Sequence, residues 1–105
     1  MSSKRYKPAI RRELILTAAI EVASRKGGWA SLTRERIAVE AGVSDGLVSR
    51  YLGDMPAARK AIMKAAIKGE NLEIIVQSIV AHDGYAVKKW LPAELKQRAI
   101  ASLLG

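Results

Sequence analysis

Thr33-Arg34-Glu35-Arg36-Ile37-Ala38-Val39-Glu40-Ala41-Gly42-Val43-Ser44-Asp45-Gly46-Leu47-Val48-Ser49-Arg50-Tyr51-Leu52-Gly53 reads as two short helices joined by a tight turn. Thr33 and Ser44 each precede an apolar-periodic run, where a side-chain oxygen can accept from backbone N–H groups that a helix's first turn leaves unpaired. Gly42, between them, is the residue type that tolerates the left-handed backbone needed to stop one helix and start another within three residues. Ile37, Ala38 and Ala41 fall on one face of the first helix; Leu47, Val48 and Tyr51 fall on one face of the second. The two faces can pack together, and the small side chain of Ala38 lets the helix axes approach closely. The pattern is that of a helix-turn-helix.

Working outward, residues 1–8 are polar and basic with no apolar period, and Pro8 suits the first position of a helix. Lys4, Arg5, Lys7, Arg11 and Arg12 come with no acid among them. Such an arm either follows phosphates and enters a minor groove or serves as a solubilising terminus. From Pro8 or Ala9 to about Lys26, Ile10, Leu14, Ala18 and Val22 recur every four residues, broadened by Ile15, Ala19 and Ala23, which predicts an amphipathic helix. Gly27-Gly28 should stop it, and Trp29 is read as a core plug in the connection.

Beyond Gly53, Pro56 opens a fourth helix with Ala58, Ile62, Ala65 and Ala66 on one side, ending near Gly69. Asn71 caps a fifth, in which Leu72, Ile75, Val76, Ile79 and Val80 form an apolar stripe. His82-Asp83-Gly84 is a turn, residues 85–90 carry no assignment, and Pro92 opens a last helix with Leu95, Ala99, Ile100 and Leu103 on its apolar face. The expected architecture is all-α: a three-helix bundle containing the helix-turn-helix, extended by about two to three C-terminal helices.

Composition agrees. Half of the 105 residues are apolar, which argues against disorder, and five aromatics without a Phe leave the core to Ile, Leu, Val and Ala. The absence of cysteine excludes disulfides and thiolate metal sites. No apolar run reaches the ~20 residues that span a bilayer, and no signal-peptide core follows the basic N-terminus, so a soluble, cytoplasmic protein without a membrane partner is expected. Eighteen basic against ten acidic residues give a net charge of +8, a balance that favours polyanionic partners.

The run Thr33…Ile37-Ala38…Ala41-Gly42-Val43-Ser44…Gly46…Tyr51-Leu52 resembles the DNA-binding motif of the TetR family of bacterial regulators. The likeness covers roughly residues 10–60 and includes Ile15-Leu16-Thr17-Ala18-Ala19 with the glycines that follow. It implies a basic arm over 1–8, a DNA-binding domain over 9–56, and a linker helix with a small dimerising region over 57–105. Ser44, Asp45, Gly46 and Leu47 would then form the leading turn of a recognition helix, with Ser49 and Arg50 on its next turn. Gly46 would let the helix approach the groove closely. Arg50 is the best base-reading candidate, because a guanidinium binds guanine O6 and N7 bidentately. Asp45 either accepts from cytosine N4 or points away.

Thr33 and Tyr51 match positions that commonly bind phosphate in the family, joined by Arg34 and Arg36; the other reading of Tyr51 is a buried aromatic locking the two helices. The family's usual lysine at the start of the linking helix is replaced here by Met55, so Arg59 or Lys60 would take its phosphate contact. The stretch after residue 69 is short for a domain that encloses an inducer, so no small-molecule effector is expected, and the chain resembles the short plasmid-borne repressors of the Kor type. Its two apolar stripes, Leu72, Ile75, Val76, Ile79 and Val80 with Leu95, Ile100 and Leu103, are either a homodimer interface or intramolecular core.

The function expected is a sequence-specific double-stranded-DNA-binding regulator, a homodimeric repressor on an inverted repeat. A nonspecific or nucleoid-type DNA-binding protein, or a protein–protein adaptor on the same scaffold, are the alternatives. Enzymatic readings are thin. His82 beside Asp83 has no nucleophile nearby, Gly27-Gly28 lacks the Lys-Ser/Thr of a phosphate loop, and neither metal nor cofactor is expected.

Overall fold

The computed structural model describes residues 7–105, and these form seven α-helices and no strand. Helix α1 spans Pro8–Ser24, α2 Arg34–Ala41, α3 Asp45–Leu52, α4 Met55–Lys68, α5 Leu72–Val80, α6 Gly84–Lys89 and α7 Ala93–Leu104. The all-helical class follows the sequence, and so do most of the helix starts. Thr33 Oγ1 accepts from Arg36 N at 3.1 Å, Ser44 Oγ from Leu47 N at 3.3 Å, and Asn71 Oδ1 from Ile74 N at 3.3 Å. Asp54, one residue before α4, caps it by accepting from Ala57 N at 2.9 Å. Each cap fixes a helix start to the residue and contributes about 1 kcal/mol.

The first three helices pack against one another, α1 also packs on α4 and α5, and α5 is the centre of the C-terminal part, touching α4, α6 and α7. One continuous core results, built on Ile15, Ala19 and Val22 of α1, Ile37 and Ala38 of α2, Val48 and Leu52 of α3, Ile62 and Met63 of α4, Ile74 and Ile75 of α5, and Ala99 of α7. Trp29, 1% exposed, plugs it between α1 and α2. Burying each of the Val, Leu, Ile and Met side chains is worth roughly 1.5–3 kcal/mol. The one fully buried polar side chain among the described residues, Ser78, donates to the Ile75 carbonyl at 2.7 Å.

Several expectations are corrected. Ile10 and Leu14 are not on the core face: they stand 47% and 49% exposed, and the buried stripe of α1 is Ile15, Leu16, Ala18, Ala19, Val22 and Ala23. The i, i+4 series drifts off the buried face because a 3.6-residue turn rotates away from a strict four-residue repeat. The stripe on α5 is rotated as well, burying Ile74, Ile75 and Ser78 and leaving Val80 out. Gly84, read as the end of a turn, and residues 85–89, within the stretch unassigned from the sequence, form α6, capped when Asp83 Oδ1 accepts from Ala86 N at 3.1 Å. Gly69 follows the last residue of α4 as expected, with φ −91°, while Glu70, φ 53°, and His82, φ 58°, are the left-handed residues on either side of α5.

Candidate nucleic-acid interface

The segment 33–53 positions its side chains through two glycines with positive φ. Gly42 (φ 71°) closes α2, its N–H reaching the Val39 carbonyl while Val43 N donates back to Ala38 O at 3.0 Å. Gly53 (φ 82°) closes α3. With both ends of α3 fixed, its orientation is set by Val48, 1% exposed, and Leu52, 5% exposed, which anchor it in the core. Leu47 and Tyr51 are half-buried against the same core.

The opposite side of α3 is open. Ser44, Asp45, Gly46 and Arg50 are exposed and Ser49 is half-buried, so the leading turn and one residue of the next turn share a solvent-facing surface. The Arg50 guanidinium lies 6.0 Å from the Tyr51 ring centroid, at the outer limit of a cation–π contact. A Cβ built on Gly46 meets nothing nearer than Ser44 Oγ at 3.9 Å, so the chain itself has room for a side chain there. Among the described residues Asp45 forms no ion pair; at the first helical position its charge complements the positive end of the α3 dipole.

Three helix N-termini meet at one open recess of about 300 Å³, lined by Thr33, Arg34 and Glu35 of the α2 start, Asp45 of α3 and Met55 of α4. Backbone N–H groups and dipoles at such ends favour anions. Arg34 lines this recess, and Arg36 of α2, Lys60 of α4 and Lys7 at the start of α1 are exposed. Lys4 and Arg5 lie outside the described residues.

Arg59 does something different. Its Nη1 donates to the Trp29 carbonyl at 2.7 Å, its Nη2 to the Leu32 carbonyl at 3.4 Å, and its guanidinium stacks 5.1 Å from the Trp29 ring centroid. Partial burial pulls its pKa below the ordinary value, and the nearby Asp83 carboxylate opposes that shift. Asp83 in turn accepts from Trp29 Nε1 at 2.9 Å. Trp29, Arg59 and Asp83 therefore tie the α1–α2 connection, α4 and the α5–α6 turn into one unit. Arg59 is committed inside the protein, and Lys60 is left to face solvent. This structural arginine is hidden in the sequence, where the i, i+1 pair Arg59-Lys60 offers no sign of which one turns inward.

The expected dimerisation residues divide in the same way. Ile75 and Leu95 are buried where α5 packs on α7 and are not available to a partner; Leu72, Val76 and Ile79 are half-buried. Val80, Ile100 and Leu103 remain exposed, joined by Leu104, which lies outside the expected set. Among the described residues no helix is long and apolar enough to cross a membrane, and no three acidic, His or Cys side chains converge as a metal site would require. No protein-family model, curated protein or solved structure matches the chain.

Proposed function

We propose that the chain is a sequence-specific DNA-binding regulator of the TetR type, acting as a homodimer on an inverted repeat and repressing by occupying its site. The observation that carries this reading is the open leading face of α3. It is a short helix held rigidly at its back by Val48 and Leu52, with Ser44, Asp45, Gly46 and Arg50 turned outward. A helix in the major groove uses its N-terminal residues to reach base edges while donors around it grip phosphates and set its register. Arg34, Arg36 and Lys60 supply the gripping charges.

Asp45 favours a specific reader over a nonspecific one. Apart from its favourable place at the positive end of the α3 dipole, a carboxylate on the leading turn is repelled by every phosphate and helps duplex binding only where it accepts from a cytosine amino group or rejects other bases. A protein selected for general affinity would gain by losing it. Two-fold symmetry follows from size: one eight-residue helix buries too little for a tight specific complex, whereas two helices ~34–36 Å apart read successive major grooves on one face of the duplex.

Selection of bound duplexes from a random pool tests the reading. The expected product is an inverted repeat whose half-site centres are about 10 base pairs apart or a multiple of that, bound ~10³-fold or more above random duplex. Arg50→Ala should relax the preference at one position per half-site by about 1–3 kcal/mol. Recovery of no consensus with undiminished binding would replace this reading by nonspecific DNA binding, and no binding at any salt concentration would leave a protein-binding adaptor.

A further inference from the structure

A second surface lies away from α3, where α1 packs on α4. The two helices leave an open groove of about 670 Å³. Its floor is mainly apolar: Leu16 and Ile20 come from α1, with the hydroxyl of Thr17 beside them, and the two small residues Ala61 and Ala65 come from α4. Its rim is basic, with Arg12 on one side and Lys64 and Lys68 on the other, against the single carboxylate of Glu13.

Lys68, in the last turn of α4, complements the negative end of that helix's dipole, and the rim cations have no ion-pair partner among the described residues. Between Met55 and Lys68, α4 contains no acidic residue, and Lys60, Lys64 and Lys68 recur every fourth position on its exposed side. Like charges at i, i+4 repel along a helix. The ion pairs among the described residues are Arg25–Glu40 and Arg98–Glu70, so none of the three lysines is compensated within the described chain.

We propose that the α1–α4 groove binds an acidic amphipathic helix of another protein. The apolar floor takes leucine- or isoleucine-sized side chains spaced at i, i+3, i+4 and i+7, and the lysines and Arg12 meet carboxylates on the flanks of the same helix. The groove runs from Arg12 to Ile20, about 12 Å along α1, which matches two to three turns of a partner. Nucleic acid satisfies the rim but has no apolar side chains for the floor. A second copy of the chain is a poor occupant, because each copy carries +8 and its amphipathic helices are not acidic: α5 has Glu73 alone, and in α7 Glu94 is followed by Lys96 and Arg98. The proposal does not depend on α3 reading DNA.

Fluorescence anisotropy with the full chain and three labelled peptides of about 20 residues tests it. The first peptide carries Leu on one helical face and Glu elsewhere, the second has the same composition with the leucines scattered, and the third replaces each Glu by Lys. The first should bind at least tenfold more tightly than the other two. Lys64→Glu with Lys68→Glu should weaken it at least tenfold and bring the Lys peptide up, whereas Lys88→Glu with Lys89→Glu on α6, an equal change in net charge, should leave both unchanged. Equal binding of the scattered peptide, or equal effects of the two charge reversals, would overturn the proposal. It would also fall if the Lys64/Lys68 reversal abolished duplex binding while sparing the peptide, or converted a dimer into monomers by sedimentation. Those outcomes assign the groove to nucleic acid and to a second copy respectively.

Discussion

Asp83→Asn isolates one bond in the Trp29–Arg59–Asp83 unit. In the native chain the Asp83 carboxylate serves two donors at once, Ala86 N through Oδ1 and the Trp29 indole N–H through Oδ2. Asparagine keeps an oxygen for the helix cap but turns an amide N–H toward the indole, so a donor faces a donor. Trp29 is buried, and an unsatisfied donor in such a setting costs about 1–3 kcal/mol. Removal of the negative charge also takes away the compensation that Asp83 gives the half-buried Arg59 guanidinium. The expected loss is about 2 kcal/mol, or roughly 8–16 °C in Tm for a domain of this size. Asp83→Ala should cost about 1 kcal/mol more, the value of the α6 cap. The assay is urea unfolding of Asp83→Asn, Trp29→Phe and the double variant. Because phenylalanine has no N–H to strand, the substitution at 83 should lose at least ~1 kcal/mol of its effect in the Trp29→Phe background. Effects that add within ~0.5 kcal/mol would show that the two residues do not interact and that the unit is a set of independent contacts.

Gly46→Ala should stabilise the free protein by up to about 1 kcal/mol, since helix propensity improves and the new Cβ has open space, yet it should lower specific duplex affinity by roughly 1–3 kcal/mol if α3 lies against the groove floor; a thermal melt paired with a binding isotherm checks both, and unchanged affinity would remove Gly46 from the interface. Gly28→Ala should abolish folding at about 37 °C, because its Cβ would stand 2.0 Å from the Val22 carbonyl oxygen and 2.9 Å from that of Arg25, and circular dichroism gives the result. Leu103→Glu with Leu104→Glu, both exposed, should leave the melt within about 0.5 kcal/mol of the parent while shifting sedimentation from dimer to monomer; an unchanged dimer would exclude the end of α7 from the interface.

Helix class, four of the helix starts and the closing turn of α2 are legible in the sequence because their causes are local. A hydroxyl or carboxamide one residue before an apolar run, a glycine forced to φ 71°, and a proline at an N-terminus each act within a turn of chain. Which apolar residues face inward is less legible. Ile10 and Leu14 fit a four-residue repeat with Ala18 and Val22, but the 3.6-residue turn carries them round to the exposed face. On α5 the choice between Ile74 and Val80 is made by where α4 and α7 sit, which no local signal in residues 72–80 records. The left-handed backbone at Glu70 and His82 has a local cause: each closes the preceding helix with paired bonds, Asn71 N to Ala66 O at 2.8 Å with Glu70 N to Ile67 O at 3.2 Å, and Asp83 N to Ser78 O at 3.1 Å with His82 N to Ile79 O at 3.0 Å, a conformation for which glycine is the usual residue.

The candidate interface is legible in α3 and illegible in its surroundings for the same reason. Side chains that point away from a protein keep the exposure their local spacing gives them, so Ser44, Asp45, Gly46 and Arg50 are on the surface where the helical period puts them. A cation beside the core is different, because three-dimensional neighbours decide whether its charge is spent. Arg59 meets the carbonyls of Trp29 and Leu32, 30 and 27 residues earlier in the chain, and leaves the surface inventory. Net charge therefore overstates what any polyanion can use. The charges that matter are those without an internal partner, and on α4 that shifts the functional weight from Arg59 to Lys60, Lys64 and Lys68. The first of these lines a cavity between the start of α4 and Asp83, Tyr85 and Trp90, and the other two rim the α1–α4 groove. One helix thus presents its free cations to two separate surfaces, with the committed Arg59 fixing its start against the core.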